Sequence, residues 1–188
     1  FTVSGLQGSD TVASLSSVAA SGATGKNAGS YTNTVTAGTE TNYTVTTVNG
    51  GLTIAKANAT VTANSGTLTY NGGNQTVSGF TASGLVGGDT AAVLSGVSAS
   101  RTEKNAGTYA TTASGTDGNY NLSFVDGSML INKAALTATG NSLSSTYSGT
   151  GQSVAGFTVS GLQGGDTVSS LTSVVALGAA GKNAGSYT

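Results

Sequence analysis

The chain has 188 residues, of which only 7% are charged, with six Lys and Arg against seven Asp and Glu and a net charge of -1. That balance leaves no basic stripe to displace counterions from a phosphate backbone, so nucleic acid is not an expected partner. The absence of His and Cys removes the common general bases, the thiol nucleophile and Cys-based metal sites.

Residues 1–32, "FTVSGLQGSDTVASLSSVAASGATGKNAGSYT", return at 157–188 as "FTVSGLQGGDTVSSLTSVVALGAAGKNAGSYT". A looser copy begins at Phe80, so Phe1, Phe80 and Phe157 mark one position in three units of about 77 residues. That period exceeds a solenoid rung and suits small self-contained domains. "LTIAKANATVTA" at 52–63 matches "MLINKAALTATG" at 129–140, which puts boundaries near Lys56 and Lys133. The expected organisation is a partial module at 1–58 lacking its front, a complete module at 59–135, and a partial module at 136–188 lacking its back. Without an initial Met and with a stop in mid-unit, the chain reads as a window on a longer polypeptide.

In chain order, Asp10-Thr11-Val12 followed by Leu15 and Val18 has apolar spacing nearer 3 than 2, and the stretches at Asp89 and Asp166 repeat it. Asp is a good N-cap, so one or two helical turns are expected after each. Apolar alternation then predicts half-buried strands at Tyr43 and Val45, at Leu52 and Ile54, at Ala57, Ala59, Val61 and Ala63, and at Tyr120, Leu122 and Phe124. Hairpin turns are expected at Asn49-Gly50-Gly51, Asn71-Gly72-Gly73, Asp117-Gly118-Asn119 and Asp126-Gly127. The fold class is mainly β: tandem modules of six or seven strands, each an antiparallel, immunoglobulin-like sandwich or a compact sheet with a short helical turn, forming an elongated array. The alternative is an α+β sheet packed on a short helix.

Asp10, Asp89 and Asp166 recur with Lys26, Lys104 and Lys182. A Ca²⁺ or ligand site would need six to eight oxygens, commonly from several carboxylates, and no Asp-x-Asp cluster is present. A helix cap with a surface ion pair, followed by a tight Asn-Ala-Gly turn, is the favoured reading, with no metal and no cofactor. Tyr31, Tyr109 and Tyr187 each stand two residues after a Gly at a strand start, a setting like the tyrosine corner, with the ring packed and the hydroxyl bonded to nearby backbone. Tyr43, Tyr120, Tyr70 and Tyr147 are read the same way in preference to an exposed ladder stacking on carbohydrate. No Ser-x-x-Lys occurs, acids are too few for a glycosidase pair, and "GTG" at 149–151 has no phosphate-loop Lys after it. Enzymatic activity is therefore not expected, and no binding residue is assigned. Asn42, Asn58, Asn74 and Asn121 head Asn-x-Ser/Thr triplets, which arise by chance in so Asn- and Thr-rich a chain. No apolar run is long enough to span a bilayer.

Tyr70-Asn71-Gly72, Gly88-Asp89-Thr90, Lys104-Asn105-Ala106-Gly107-Thr108-Tyr109, Asn119-Tyr120 and "FVDGSMLINKA" at 124–134 together resemble the YDG/MBG class of β-rich repeats. Tyr147-Ser148-Gly149 departs from that pattern at its middle residue. Such repeats occur in tandem in filamentous-haemagglutinin-like adhesins of Gram-negative bacteria, so the resemblance implies export, often by a two-partner route, and display on the cell surface. It implies stalk repeats that project a binding region for cell adhesion or biofilm formation. The alternative is repeats that bind surface or matrix polysaccharide, or other copies of themselves, as a fibre or sheath.

Overall fold

The computed structural model describes residues 1–188. Repeat 1 holds β1 (Val18–Ala20), β2 (Gly29–Asn33), β3 (Val35–Ala37) and β4 (Gly50–Ile54). Repeat 2 holds β5 (Ala57–Ala63), β6 (Gly66–Thr69), β7 (Gln75–Ser78), β8 (Phe80–Ser83), β9 (Val97–Glu103), β10 (Gly107–Thr111), β11 (Ala113–Gly115), β12 (Tyr120–Val125) and β13 (Gly127–Asn132). Repeat 3 holds β14 (Thr137–Gly140), β15 (Gln152–Val154), β16 (Phe157–Ser160) and β17 (Ala179–Gly181). A single 3₁₀ turn follows each recurrent Asp, at Val12–Ser14, Ala91–Val93 and Val168–Ser170. The chain is mainly β, as the alternation and the Gly-rich turns require.

The nine segments of repeat 2 follow one another as five passes of chain, β5–β6, β7–β8, β9, β10–β11 and β12–β13, and the two members of each double pass belong to different sheets. The bend at Gly79 carries β7 into β8 with φ +88, and Gly156 repeats it with φ +88 between β15 and β16. Asn64 seals the first bend, its amide donating to Gly79 O at 3.0 Å and its side chain to Ser78 O at 3.1 Å. Asn141 does the same at Gly156 and Ala155.

The small sheets are not wholly antiparallel. β12 runs parallel to β5, Tyr120 opposite Ala57 and Val125 opposite Thr62, and β13 runs parallel to β6, Met129 opposite Gly66. The first and last passes of the repeat thus lie side by side and point the same way. β10 closes on β13 antiparallel, and β7 on β9. Asp126-Gly127 is therefore not a hairpin turn, because β12 and β13 pair with different partners in different sheets and not with each other. Asn49-Gly50-Gly51 is not one either, with Gly50 and Gly51 inside β4. At Asn71-Gly72-Gly73 and Asp117-Gly118-Asn119 the chain does leave one strand for the next, but the expected hairpins do not form there either, because β6 pairs with β13 while β7 pairs with β9, and β11 and β12 lie in different sheets.

Tyr43 and Val45 do not form a strand. Their counterparts in β12 bond to β5, and no segment of repeat 1 takes the place of β5. A hollow between residues 1–6 and 43–50 is lined by Val3, Leu6, Leu15, Val18 and Val45.

The chain forms two compact units, one of Phe1–Thr62, Phe80–Ser98 and Ala113–Val125, the other of Ala63–Gly79, Ala99–Thr112 and Asp126–Thr188. In the first, Leu15, Ala59, Val61, Leu94, Val97 and Tyr120 are buried. Ala59 and Val61 sit on one face of β5 because side chains alternate along a strand. In the second, Val77, Met129 and Ile131 make the core, with Leu68, Tyr70, Ala106 and Tyr109 packed on it. No helix is long and apolar enough to cross a membrane.

Candidate functional site

The residues that recur in every repeat converge on two places. At the first, the 3₁₀ turn is preceded by a loop whose Asp amide closes it. Asp10, Asp89 and Asp166 donate to the carbonyls of Gln7, Val86 and Gln163 at 3.0 to 3.1 Å. The N-cap of the helical turn is the following Thr, not the Asp. In repeats 1 and 3 the cap is closed by Ser14 and Ser170, whose hydroxyls accept from the Thr11 and Thr167 amides at 3.1 and 3.2 Å.

The Asp carboxylates are thus free to accept elsewhere, and all three accept a tyrosine hydroxyl. Tyr43 donates to Asp10 at 2.5 Å, Tyr120 to Asp89 at 2.7 Å and Tyr70 to Asp166 at 2.8 Å. The expected ion pairs with Lys26, Lys104 and Lys182 do not form, since the single ion pair joins Arg101 to Glu103. Each Lys lies more than ten residues from its Asp in sequence, beyond the strand that follows the helical turn, and the carboxylate is taken by a tyrosine hydroxyl instead. No group of three or more metal-ligating side chains is brought together.

The carboxylate next to each phenol disfavours the phenolate and raises the tyrosine pKa. For Tyr43 and Tyr70 the hydrogen bond to Asp10 and to Asp166 is the largest cause. For Tyr120 the largest influence is the Val86 backbone, which lowers its pKa, but the Asp89 bond, burial and the charges of Asp89 and Asp117 together outweigh it. A phenol with a raised folded value contributes stability that is complete below the ordinary tyrosine value of about 10 and is lost as pH rises through the folded value. Ultraviolet titration of phenolate formation is expected to show Tyr43, Tyr70 and Tyr120 ionising late, with unfolding accompanying them. In Asp10→Asn, Tyr43 should ionise at lower pH; an unchanged titration curve would remove the carboxylate as the cause. Glu40 shifts the other way, held below its usual range first by the Ser17 hydroxyl at 2.6 Å and then by the Ser17 amide at 2.7 Å.

At the second place, Tyr31, Tyr109 and Tyr187 each donate to the carbonyl four residues upstream, Asn27, Asn105 and Asn183, at 2.8, 3.1 and 3.0 Å. This is the backbone-bonded tyrosine expected from the sequence, and it locks the Asn-Ala-Gly turn. In repeats 1 and 3 the ring lies against Gly25 and Gly181, where any Cβ would overlap it. In repeat 2 the matching residue is Glu103, paired to Arg101, whose guanidinium sits 5.6 Å from the Tyr109 ring centre.

Sequence reasoning placed the recurrent Asp and Tyr residues but missed that they meet. The signal available was their joint recurrence: each Asn-Tyr, at 42–43 and 119–120, follows its Asp by 33 and 31 residues. Tyr120 is buried, Tyr43 and Tyr70 are partly so, and Tyr147 is 63% exposed.

A family model described as MBG domain (YGX type) matches residues 1–53 and again 59–130. No curated protein and no solved structure matches the chain. With the two matches spanning most of the chain and the same Asp–Tyr loop in both, the chain belongs to the MBG domain (YGX type) family.

Proposed function

We propose that these repeats are stalk or spacer modules of a large secreted or surface-displayed bacterial adhesin, exported by a two-partner route. They project a binding region located elsewhere for cell adhesion or biofilm formation, and they carry no enzymatic reaction. The observation that supports this reading is where the recurrent polar groups are used. The recurrent Asp, the corner Tyr and the Asn-Tyr pairs hydrogen-bond one another or nearby backbone. Their hydroxyls and carboxylates are thereby engaged within the fold, while the recurrent Lys26, Lys104 and Lys182 stay exposed outside an ion pair. Membership of a family of tandem repeats and the low charge agree with an extracellular position on the cell surface.

The test is small-angle X-ray scattering with light scattering on chains carrying additional copies of residues 59–135, over a concentration series. A monomer whose length grows by about 25 to 40 Å per added repeat supports the spacer. Growth into dimers or fibres, or retention on a polysaccharide matrix, would sink it and make module contact or glycan binding the function.

A further inference from the structure

Consecutive repeats touch in two ways, each visible at one place in the chain. Between repeats 1 and 2, the Asn119 side chain accepts from the Ala28 amide at 2.9 Å and donates to Asn27 Oδ1 at 3.3 Å. Here the Asn-Ala-Gly turn of one repeat meets the Asp117–Asn119 turn of the next. Between repeats 2 and 3, Tyr70 donates to Asp166 at 2.8 Å, and Gly72 rests against the backbone of Gln163 and Gly164. Here the Tyr-Asn-Gly turn of one repeat meets the Asp loop of the next. A Cβ on Gly72 would stand 2.7 Å from Gly164 Cα and 2.8 Å from Gln163 O, so only glycine admits this approach.

We propose that these are two halves of one head-to-tail seam, an interaction surface whose partner is another module of the same kind. In the complete seam a single aspartate accepts two phenols: the tyrosine of its own repeat, as Asp89 accepts Tyr120, and the turn tyrosine of the repeat before, as Asp166 accepts Tyr70.

Both halves keep their key glycine turn where the other is not present. Gly8, Gly87 and Gly164 are left-handed at the matching position of the Asp loop, φ +60, +67 and +55, although only Gly164 is covered, and repeat 2 differs by a second such residue, Gly88 at φ +86. Gly72 and Gly149 hold the tyrosine turn at φ +78 and +74, although only Gly72 is covered. The tyrosine turn shares one buttress in both repeats, since Gln75 donates to Thr69 O at 3.1 Å and Gln152 to Thr146 O at 2.8 Å; Asn71 adds a bond from the Gly73 amide in repeat 2, and Ser148 one from Gln152 in repeat 3. Preformed faces lose little entropy on meeting, which favours association through few contacts. The exposed Tyr147 is the same donor without its acceptor. The Tyr70 ring, packed on the core of its own repeat, carries only its hydroxyl across, so the seam adds a directional bond without exchanging core side chains.

This seam stands whether the array is a passive stalk or an adhesive surface, because it concerns only how one repeat meets the next. The experiment is a crystal structure of the chain with a second copy of residues 59–135 inserted after residue 135, so that two complete repeats are adjacent. The expected result places the first copy's Tyr70 and the second copy's Tyr120 both within hydrogen-bond distance of the second copy's Asp89, with the second copy's Asn119 on the first copy's Asn105 and Ala106. One tyrosine displacing the other, or Asn119 turned to solvent, overturns the proposal. In solution, Tyr70→Phe in the first copy and Asp89→Asn in the second should be coupled by about fivefold or more in the unfolding equilibrium. Independent effects of the two changes would likewise overturn it.

Discussion

Met129→Ala is expected to remove about 2 to 5 kcal/mol of stability, a large share of what a small domain possesses. Met129 is fully buried and Ile131 is 1% exposed on the same face of β13. Met129 stands between Tyr109 of β10 and Gly66 of β6. At Gly66 the missing side chain is filled by Val77, which a Cβ would strike at 2.7 Å, so the four positions interlock and truncating one leaves a void its neighbours cannot close. Urea unfolding followed by tyrosine fluorescence reads this directly, because Tyr70 and Tyr109 flank the site. A loss below about 1 kcal/mol would mean the core collapses around the gap. Thr111, in β10, moves the balance the other way: it is fully buried and its hydroxyl has no partner. Thr111→Val should gain about 1 kcal/mol in the same assay by removing an uncompensated polar group.

Gly127→Ala is expected to cost about 1 to 3 kcal/mol for the opposite reason, overpacking. A Cβ there would fall on Asn64 O and stand 2.5 Å from Ala63 O. Both are backbone atoms and cannot rotate aside. To make room, β6 must draw away from β13, loosening the Met129–Gly66 register and the bond from the Ser128 amide to Ser65 Oγ at 3.0 Å. Gly118→Ala is the control, since nothing lies within 4 Å of its Cβ position. Equal midpoints for the two variants in chemical denaturation would refute the steric account.

What the sequence disclosed and what it hid divide by range. The turn at Asn71-Gly72, the alternation of Ala59, Val61 and Ala63, the helical turn after each Asp and the backbone-bonded Tyr31, Tyr109 and Tyr187 are all set by residues within a few positions of one another. Local pattern therefore reveals them. The parallel pairing of β12 with β5 joins residues 63 positions apart, and neither strand's composition names its partner. Asp126-Gly127 misled for the same reason, because a two-residue turn signal also suits a junction between two strands whose partners are distant in the chain. The Asp carboxylates were assigned to caps because Asp is a good capping residue, but the adjacent Thr holds that place and leaves the acid to the tyrosines.

The side-by-side, same-direction first and last passes of repeat 2 determine how it answers to pulling. Tension that pulls Ala57 of β5 against Val125 of β12 draws two neighbouring parallel strands past each other along their length. The interstrand bonds of Tyr120–Val125 with Ala57–Thr62 then share the load at once, and those of Met129–Asn132 with Gly66–Thr69 do the same when β6 is pulled against β13. Had the two passes been antiparallel, the same pull would have opened them one bond at a time from a single end, like a zip. Either pair of repeat 2 is thus loaded in shear, the geometry in which a sheet yields only when its whole ladder fails together.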